Sequence, residues 1–322
     1  MRATFPIIDK IFYVILAVTA LPVNLMAIVI LSQRDCGLST CITRYLVAMA
    51  VTDLLGVITE VILNQINSYF FPICFLDITT VCKVTTILRR TSIDCSVWLT
   101  VTLSFDRYVA ICCQTLKAKY CTKKTTAVVI ATTCILLCLK NIPWYYTYEP
   151  GDKIDNVPYF CYTKTSYFTE PGWVGFDWFD TVLTPLLPFT LILLLNALTV
   201  RHILVASRVR QGLRGQCKGE NRSDPEMESR RKSVILLFTI SGSFILLWLL
   251  YVIEFFYYII TKTYDYSHND SLYIFEQVKF MLRNLNCCTN TFVYVVTQTK
   301  FREQFKNVVK YPVTLIVQLI KQ

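Results

Sequence analysis

The stretch Ile7-Ile8-Asp9-Lys10-Ile11-Phe12-Tyr13-Val14-Ile15-Leu16-Ala17-Val18-Thr19-Ala20-Leu21-Pro22-Val23-Asn24-Leu25-Met26-Ala27-Ile28-Val29-Ile30-Leu31 is charged only at Asp9 and Lys10, near its start. A helix needs about 20 mostly apolar residues to cross roughly 30 Å of hydrocarbon, so this stretch is long enough to span. It continues well past Val18-Thr19-Ala20, which has the look of a cleavage site, and is expected to act as a signal anchor. Six similar runs follow, which predicts seven spans at about 7–31, 43–68, 81–112, 125–146, 178–205, 233–260 and 273–297. The third and seventh contain charges, so hydropathy alone scores them weakly. Helix is the state that lipid imposes, because hydrocarbon offers the backbone no hydrogen-bond partner. The alternating segments of about ten residues that mark a transmembrane barrel are absent.

Composition agrees. The chain has 322 residues, 54% hydrophobic and only 17% charged, against about 25% charged in a soluble domain. Disordered and disulfide-scaffold classes fail on the same figures. Two histidines are too few for a His-rich metal protein. A formal net charge of +10 could point to nucleic acid, but its placement says otherwise. With the amino terminus outside, eighteen Lys and Arg fall on the cytoplasmic side and five outside. That bias is the positive-inside rule, so the basic excess is a topology signal and no nucleic-acid partner is expected. The third inner loop, 206–232, is polar and basic, with Gly212, Gly215, Gly219 and Pro225 expected to break any long helix. Beyond span seven, Phe301, Phe305, Val308 and Val309 recur at helical spacing among basic residues. This predicts an amphipathic helix at about 300–311 lying on the inner-leaflet lipid. The fold class is therefore all-α: a single seven-transmembrane helix bundle over 1–322 with a short surface helix.

Specific residues sharpen this. At the inner end of span three stands Ser104-Phe105-Asp106-Arg107-Tyr108-Val109-Ala110. Span two carries Met49-Ala50-Val51-Thr52-Asp53-Leu54, and span one has Asn24. Span seven has Asn290-Thr291-Phe292-Val293-Tyr294, followed by Lys300-Phe301-Arg302. Span five has Pro188, and span six has Phe244 and Trp248. In this order and spacing the chain resembles the rhodopsin-like (class A) G-protein-coupled receptors over nearly its whole length. Ser96-Val97-Trp98-Leu99-Thr100-Val101, Pro188 with Asn196, and the missing proline after Asn290 are similar to a small orphan branch proposed to sense aromatic amino acids. The chain departs from the family pattern at Leu250, where span six usually has proline, and at Arg230, where a glutamate often pairs with the span-three arginine. Without that lock, basal signalling is expected.

The resemblance implies roles. Asp106, Arg107, Tyr108, Asn196, Asn290 and Tyr294 would form the switch that couples to a heterotrimeric G protein. From position alone, Arg107 also reads as a charge snorkelling to the interface. Asp53 lies mid-membrane, where an ionised carboxylate is costly unless paired. With Asn24, Ser96, Asn286 and Asn290 it reads as a sodium site, or as a protonated acid in a hydrogen-bonded network. Pro188, Val97, Phe244 and Trp248 would form the activation core. Cys82 and Cys161 match the family's disulfide between span three and the outer loop. No cysteine follows span seven, so no acyl anchor is expected on the tail.

The outer halves of the helices are unusually charged. Arg89 precedes Arg107 by five helical turns, about 27 Å, and Arg90, Asp94, Glu60, Glu254, Lys279 and Arg283 share its depth. With Trp248 and Tyr251 these residues make a candidate ligand pocket. Its surplus of bases suits a small anionic or zwitterionic extracellular ligand, held by bidentate arginine contacts. Two other readings stay open: mutual salt bridges that only hold helices together, and a short basic peptide as ligand, since the outer loops are acidic. An amine ligand is disfavoured by Arg89. Asn284 stands where a photoreceptor has its retinal lysine. Asn269-Asp270-Ser271 is a glycosylation sequon on an outer loop. No cofactor beyond sodium is implied, and no cluster suggests an enzyme. A transporter or channel is the rival function, because intramembrane charges also mark ion pathways. The expected location is the plasma membrane.

Overall fold

The computed structural model describes residues 5–33, 36–71, 73–214, 225–261 and 270–320. Helices run through all seven apolar stretches. Span one is Phe5–Gln33. Span two is Thr40–Gly56, continued by a π-helix at Val57–Ile66 and a last turn at Asn67–Phe70. Span three is Thr79–Cys112, and span four is Lys123–Asn141, tightening into a 3-10 turn at Ile142–Tyr146. Span five is built from Pro171–Thr181, a π turn at Val182–Leu186, and Leu187–Arg214. Span six is Pro225–Thr261, span seven Asp270–Thr297, and the surface helix Thr299–Ile320.

Five of the seven spans are apolar enough to cross a membrane on length and composition alone. The exceptions are Thr79–Cys112 and Asp270–Thr297, the two whose buried charges lower their hydropathy. Start signals are local. Ser39 caps span two by accepting the Ile42 amide, and Thr122 caps span four by accepting that of Thr125 at 3.1 Å. Span five departs from a plain helix at Thr184 (φ −148°, ψ 110°), immediately before Pro185. Proline lacks an amide proton and crowds the preceding turn, which accounts for the break. Gly212 does not break the helix at the inner end of span five, which runs on to Arg214.

Span three is the central strut, packed against spans two, four, five and six. An inner cluster including Tyr45, Leu46, Met49, Leu99, Leu103, Ile240, Tyr294 and Phe301 joins spans two, three, six and seven to the surface helix. A second, with Tyr13, Leu16, Val57 and Cys288, joins spans one, two and seven. Outward-facing Val128, Ile135, Leu136 and Leu139 leave much of span four exposed, as lipid-facing residues are in a spanning helix. The outer loop folds into two small antiparallel ribbons. Strands β1 (Tyr148–Glu149) and β4 (Tyr162–Thr163) enclose β2 (Asp152–Ile154) and β3 (Val157–Tyr159). Asp155 and Asn156, with φ of 50° and 63°, make the left-handed two-residue turn that β-hairpins favour. A Cys82–Cys161 disulfide ties this loop to the top of span three. Phe160 reinforces it, donating to Asp77 O at 2.6 Å and accepting from Thr79 Oγ1 at 2.9 Å.

Candidate functional site

The charged residues of the outer half form three ion-pair groups, the first and third meeting at Tyr251. In the first, Glu60 on span two is 3% exposed and faces two guanidinium groups. Arg89 of span three lies 3.2 Å from Glu60 Oε2, and Arg283 of span seven lies 3.0 Å from Glu60 Oε1. Arg283 also donates to Tyr251 Oη at 2.9 Å, and Asn284 donates to Tyr13 Oη at 3.1 Å.

The second group lies between spans three, four and five. Lys140 Nζ is 2.7 Å from Asp94 Oδ2 and also pairs with Asp180. Asn141 donates to the same Asp94 oxygen at 2.7 Å. Arg90 reaches Asp180 at 3.4 Å while its guanidinium lies 3.3 Å from the Trp144 ring centroid. Arg90 and Asp94 are therefore turned away from Glu60 and Arg283. The third group is Lys279 with Glu254 at 2.6 Å, the ammonium 4.9 Å from the Tyr251 ring.

Below Glu60 the polar groups continue to mid-membrane. Ser96 Oγ donates to Asp53 Oδ1 at 2.5 Å and Asn290 Nδ2 to Asp53 Oδ2 at 2.8 Å. Asn24 donates to Cys287 O at 2.7 Å and accepts from Thr291 at 3.2 Å. A cavity of about 30 Å³ lined by Asp53, Ser96, Asn286, Trp248, Glu60 and Arg283 connects this network to the first ion group. That volume admits water or a bare cation, whereas organic ligands fill roughly 300 Å³ or more. Carboxylate, amide and hydroxyl oxygens are the donor set a hard cation prefers. An aromatic column closes the far wall: Phe244 stacks on Trp248 at 5.6 Å and Trp248 lies 5.4 Å from Tyr251. Val97, Val101 and Ile192 pack against its base, and Pro188 is buried on span five.

At the inner end Arg107 is buried and bonded through Nε to Asp106 Oδ2 at 3.1 Å. Tyr108 is half-buried. Tyr294 is fully buried and meets Phe301 of the surface helix edge-on at 5.9 Å. Its hydroxyl and the Asn196 side-chain oxygen are buried without a hydrogen-bond partner among the described residues. In the outer loop, burial and a hydrogen bond to Asp177 hold the Tyr167 phenol above its ordinary pKa.

Sequence reasoning did not single out Lys140, Asn141, Trp144 or Asp180. Lys140 near a span end reads as an ordinary interfacial charge, and nothing in the chain names its partners 46 residues earlier and 40 later. Asn269, the glycosylation candidate, and Cys217 lie outside the described residues, as do the side chains of Arg230 and Val309.

A family model described as 7 transmembrane receptor (rhodopsin family) matches residues 23–294. Among curated proteins, the Tachykinin-like peptides receptor 86C of Drosophila melanogaster is 24% identical over 239 residues, 71% of this chain. The chain spans less than half the length of that relative, 44%.

Proposed function

The chain belongs to the rhodopsin family of seven-transmembrane receptors, and from that premise we propose that it binds a small anionic or zwitterionic extracellular ligand and activates a heterotrimeric G protein. Membership in a receptor family decides against the transporter or channel reading. In the proposed orientation the amino terminus is outside, the Cys82–Cys161 loop covers the ligand side, and Arg107 faces the cytoplasm of the plasma membrane.

One observation carries the ligand reading: two guanidinium groups share the single carboxylate of Glu60. Three pairwise terms act there, two attractive and one repulsive, and an incoming carboxylate would add a second anion to an underneutralised pair. Arginine's planar fork binds a carboxylate bidentately. Because the cavity itself is only about 30 Å³, such a ligand enters by opening the Glu60 pairs. At the inner face, Arg107 released from Asp106 can donate to Asn196 Oδ1 and Tyr294 Oη, both without partners among the described residues. This makes a two-state element that the outer site can bias.

The test is G-protein activation measured in cells across all G-protein classes, with wild type, Arg107→Ala and Arg283→Ala, first without ligand and then with a panel of small carboxylates. Activity in wild type that Arg107→Ala abolishes supports the coupling reading, and a carboxylate response lost in Arg283→Ala supports the ligand reading. The peptide-receptor relative favours a second reading, a short basic peptide drawn by the acidic outer loop. A response to basic peptides that survives Arg283→Ala would select it.

A further inference from the structure

Span three ends at Cys112, and Cys113 is the residue at which the chain turns out of that helix. Both thiols are half-exposed and neither is in a disulfide. Seven residues before Cys112, on the same helical face, Phe105 is 42% exposed, with its ring edge-on to Tyr120 at 5.5 Å. Arg107 is five residues before Cys112, about 140° around the helix, and is buried. The two residues therefore point in different directions: Arg107 into the bundle and Cys112 toward the lipid-facing side. Downstream, Leu116 is 53% exposed, and Lys117, Lys119, Lys123 and Lys124 are all exposed. Other described thiols at this end are less available. Cys36 and Cys41 are buried, and the Cys121 sulfur sits 3.9 Å from the Asp106 carbonyl.

Two half-exposed thiols at the end of span three, a pair of turns below an exposed aromatic side chain and followed by exposed lysines, combine the features that place a cysteine beside a leaflet. The apolar side chains set the depth, and the lysines hold the segment to anionic headgroups. Juxtamembrane cysteines of this kind are substrates for reversible S-acylation. We propose that Cys112 and Cys113 are an S-acylation site that takes a long-chain fatty acyl group from an acyl-coenzyme A. The cysteine sulfur attacks the thioester carbonyl and a new carbon–sulfur bond forms. The bond to the coenzyme A sulfur breaks, and coenzyme A leaves as the thiol with the proton the cysteine gave up. No oxidant or reductant is needed. The inference rests on the orientation proposed above, with this end of span three in the cytoplasm.

The full-length protein expressed in cells should be analysed by exchanging hydroxylamine-sensitive thioesters for mass tags. The wild type should carry one or two tags, Cys112→Ser/Cys113→Ser should lose them, and Cys217→Ser should keep them. A wild type without tags, or a double variant that keeps them, overturns the proposal. Orientation is read separately with a membrane-impermeant maleimide on Lys124→Cys in the Cys112→Ser/Cys113→Ser background. Labelling there that depends on permeabilising the cells supports the premise, and a gain over the parent variant in intact cells overturns orientation and proposal together.

Discussion

Arg283 of span seven lies 3.0 Å from Glu60 of span two, so one buried carboxylate ties together helices whose contacting residues are 223 positions apart. Arg89 draws span three into the same knot at 3.2 Å. Removing one partner of a buried pair costs about 3–5 kcal/mol, because the other charge stays desolvated. Glu60→Gln should therefore lower the melting temperature of the purified receptor, and a small carboxylate in the buffer should recover part of the loss. Recovery by chloride and by carboxylates alike would show nonspecific screening and count against a carboxylate site.

Lys140 stands between Asp94 and Asp180. Lys140→Met leaves both acids without the ammonium, while Asp94→Asn/Lys140→Met removes one charge of each sign. The single variant should be the less stable of the two, because it leaves the buried Asp94 carboxylate without its ammonium partner. Equal losses in a thermal-shift comparison would mean that the cluster is not acting as one unit.

Asp53 accepts hydrogen bonds from Ser96 and Asn290 beside a cavity of cation size. If sodium favours the resting state, ligand-independent signalling should fall as sodium replaces a large organic cation in the medium. Asp53→Asn should flatten that dependence. A sodium response unchanged in the variant would place the ion elsewhere.

The Tyr294 hydroxyl is buried with no hydrogen-bond partner among the described residues, a state that costs about 1–3 kcal/mol. Tyr294→Phe deletes only that hydroxyl. It should raise thermal stability by about 1 kcal/mol and, if the proposed switch is right, reduce the maximal G-protein response. Full signalling in a stabilised Tyr294→Phe protein would remove Tyr294 from the switch.

Much of this architecture is legible in the chain because a membrane asks for little beyond length and apolarity. Spans three and seven are the instructive pair. Their charges hide them from hydropathy, yet Asp106-Arg107-Tyr108 and Asn290-Thr291-Phe292-Val293-Tyr294 identify them by resemblance. Pairing was harder to read. Glu60, Arg89 and Arg283 could be assigned a common depth by counting turns, but their division from Arg90 and Asp94 depends on how each helix is rotated about its axis. Lys140 and Asp180 had no sequence cue at all, since a charge near a span end is ordinary until its neighbours are known. The outer hairpin carries a readable signal in Asp155-Asn156, a residue pair suited to the left-handed turn.

The π-helix at Val57–Ile66 has a consequence for how this receptor is aligned with its relatives. Bonding to the fifth residue back in place of the fourth absorbs extra chain without adding a turn, which acts structurally like an insertion hidden inside unbroken helix. Below Gly56, counting from Asp53 keeps step with any straight span two. Above it, the same count falls out of phase, and a residue number no longer names the same face. Glu60 lies within that shifted segment, so its partners belong to this chain's own winding and do not transfer by position to a receptor whose second span is regular.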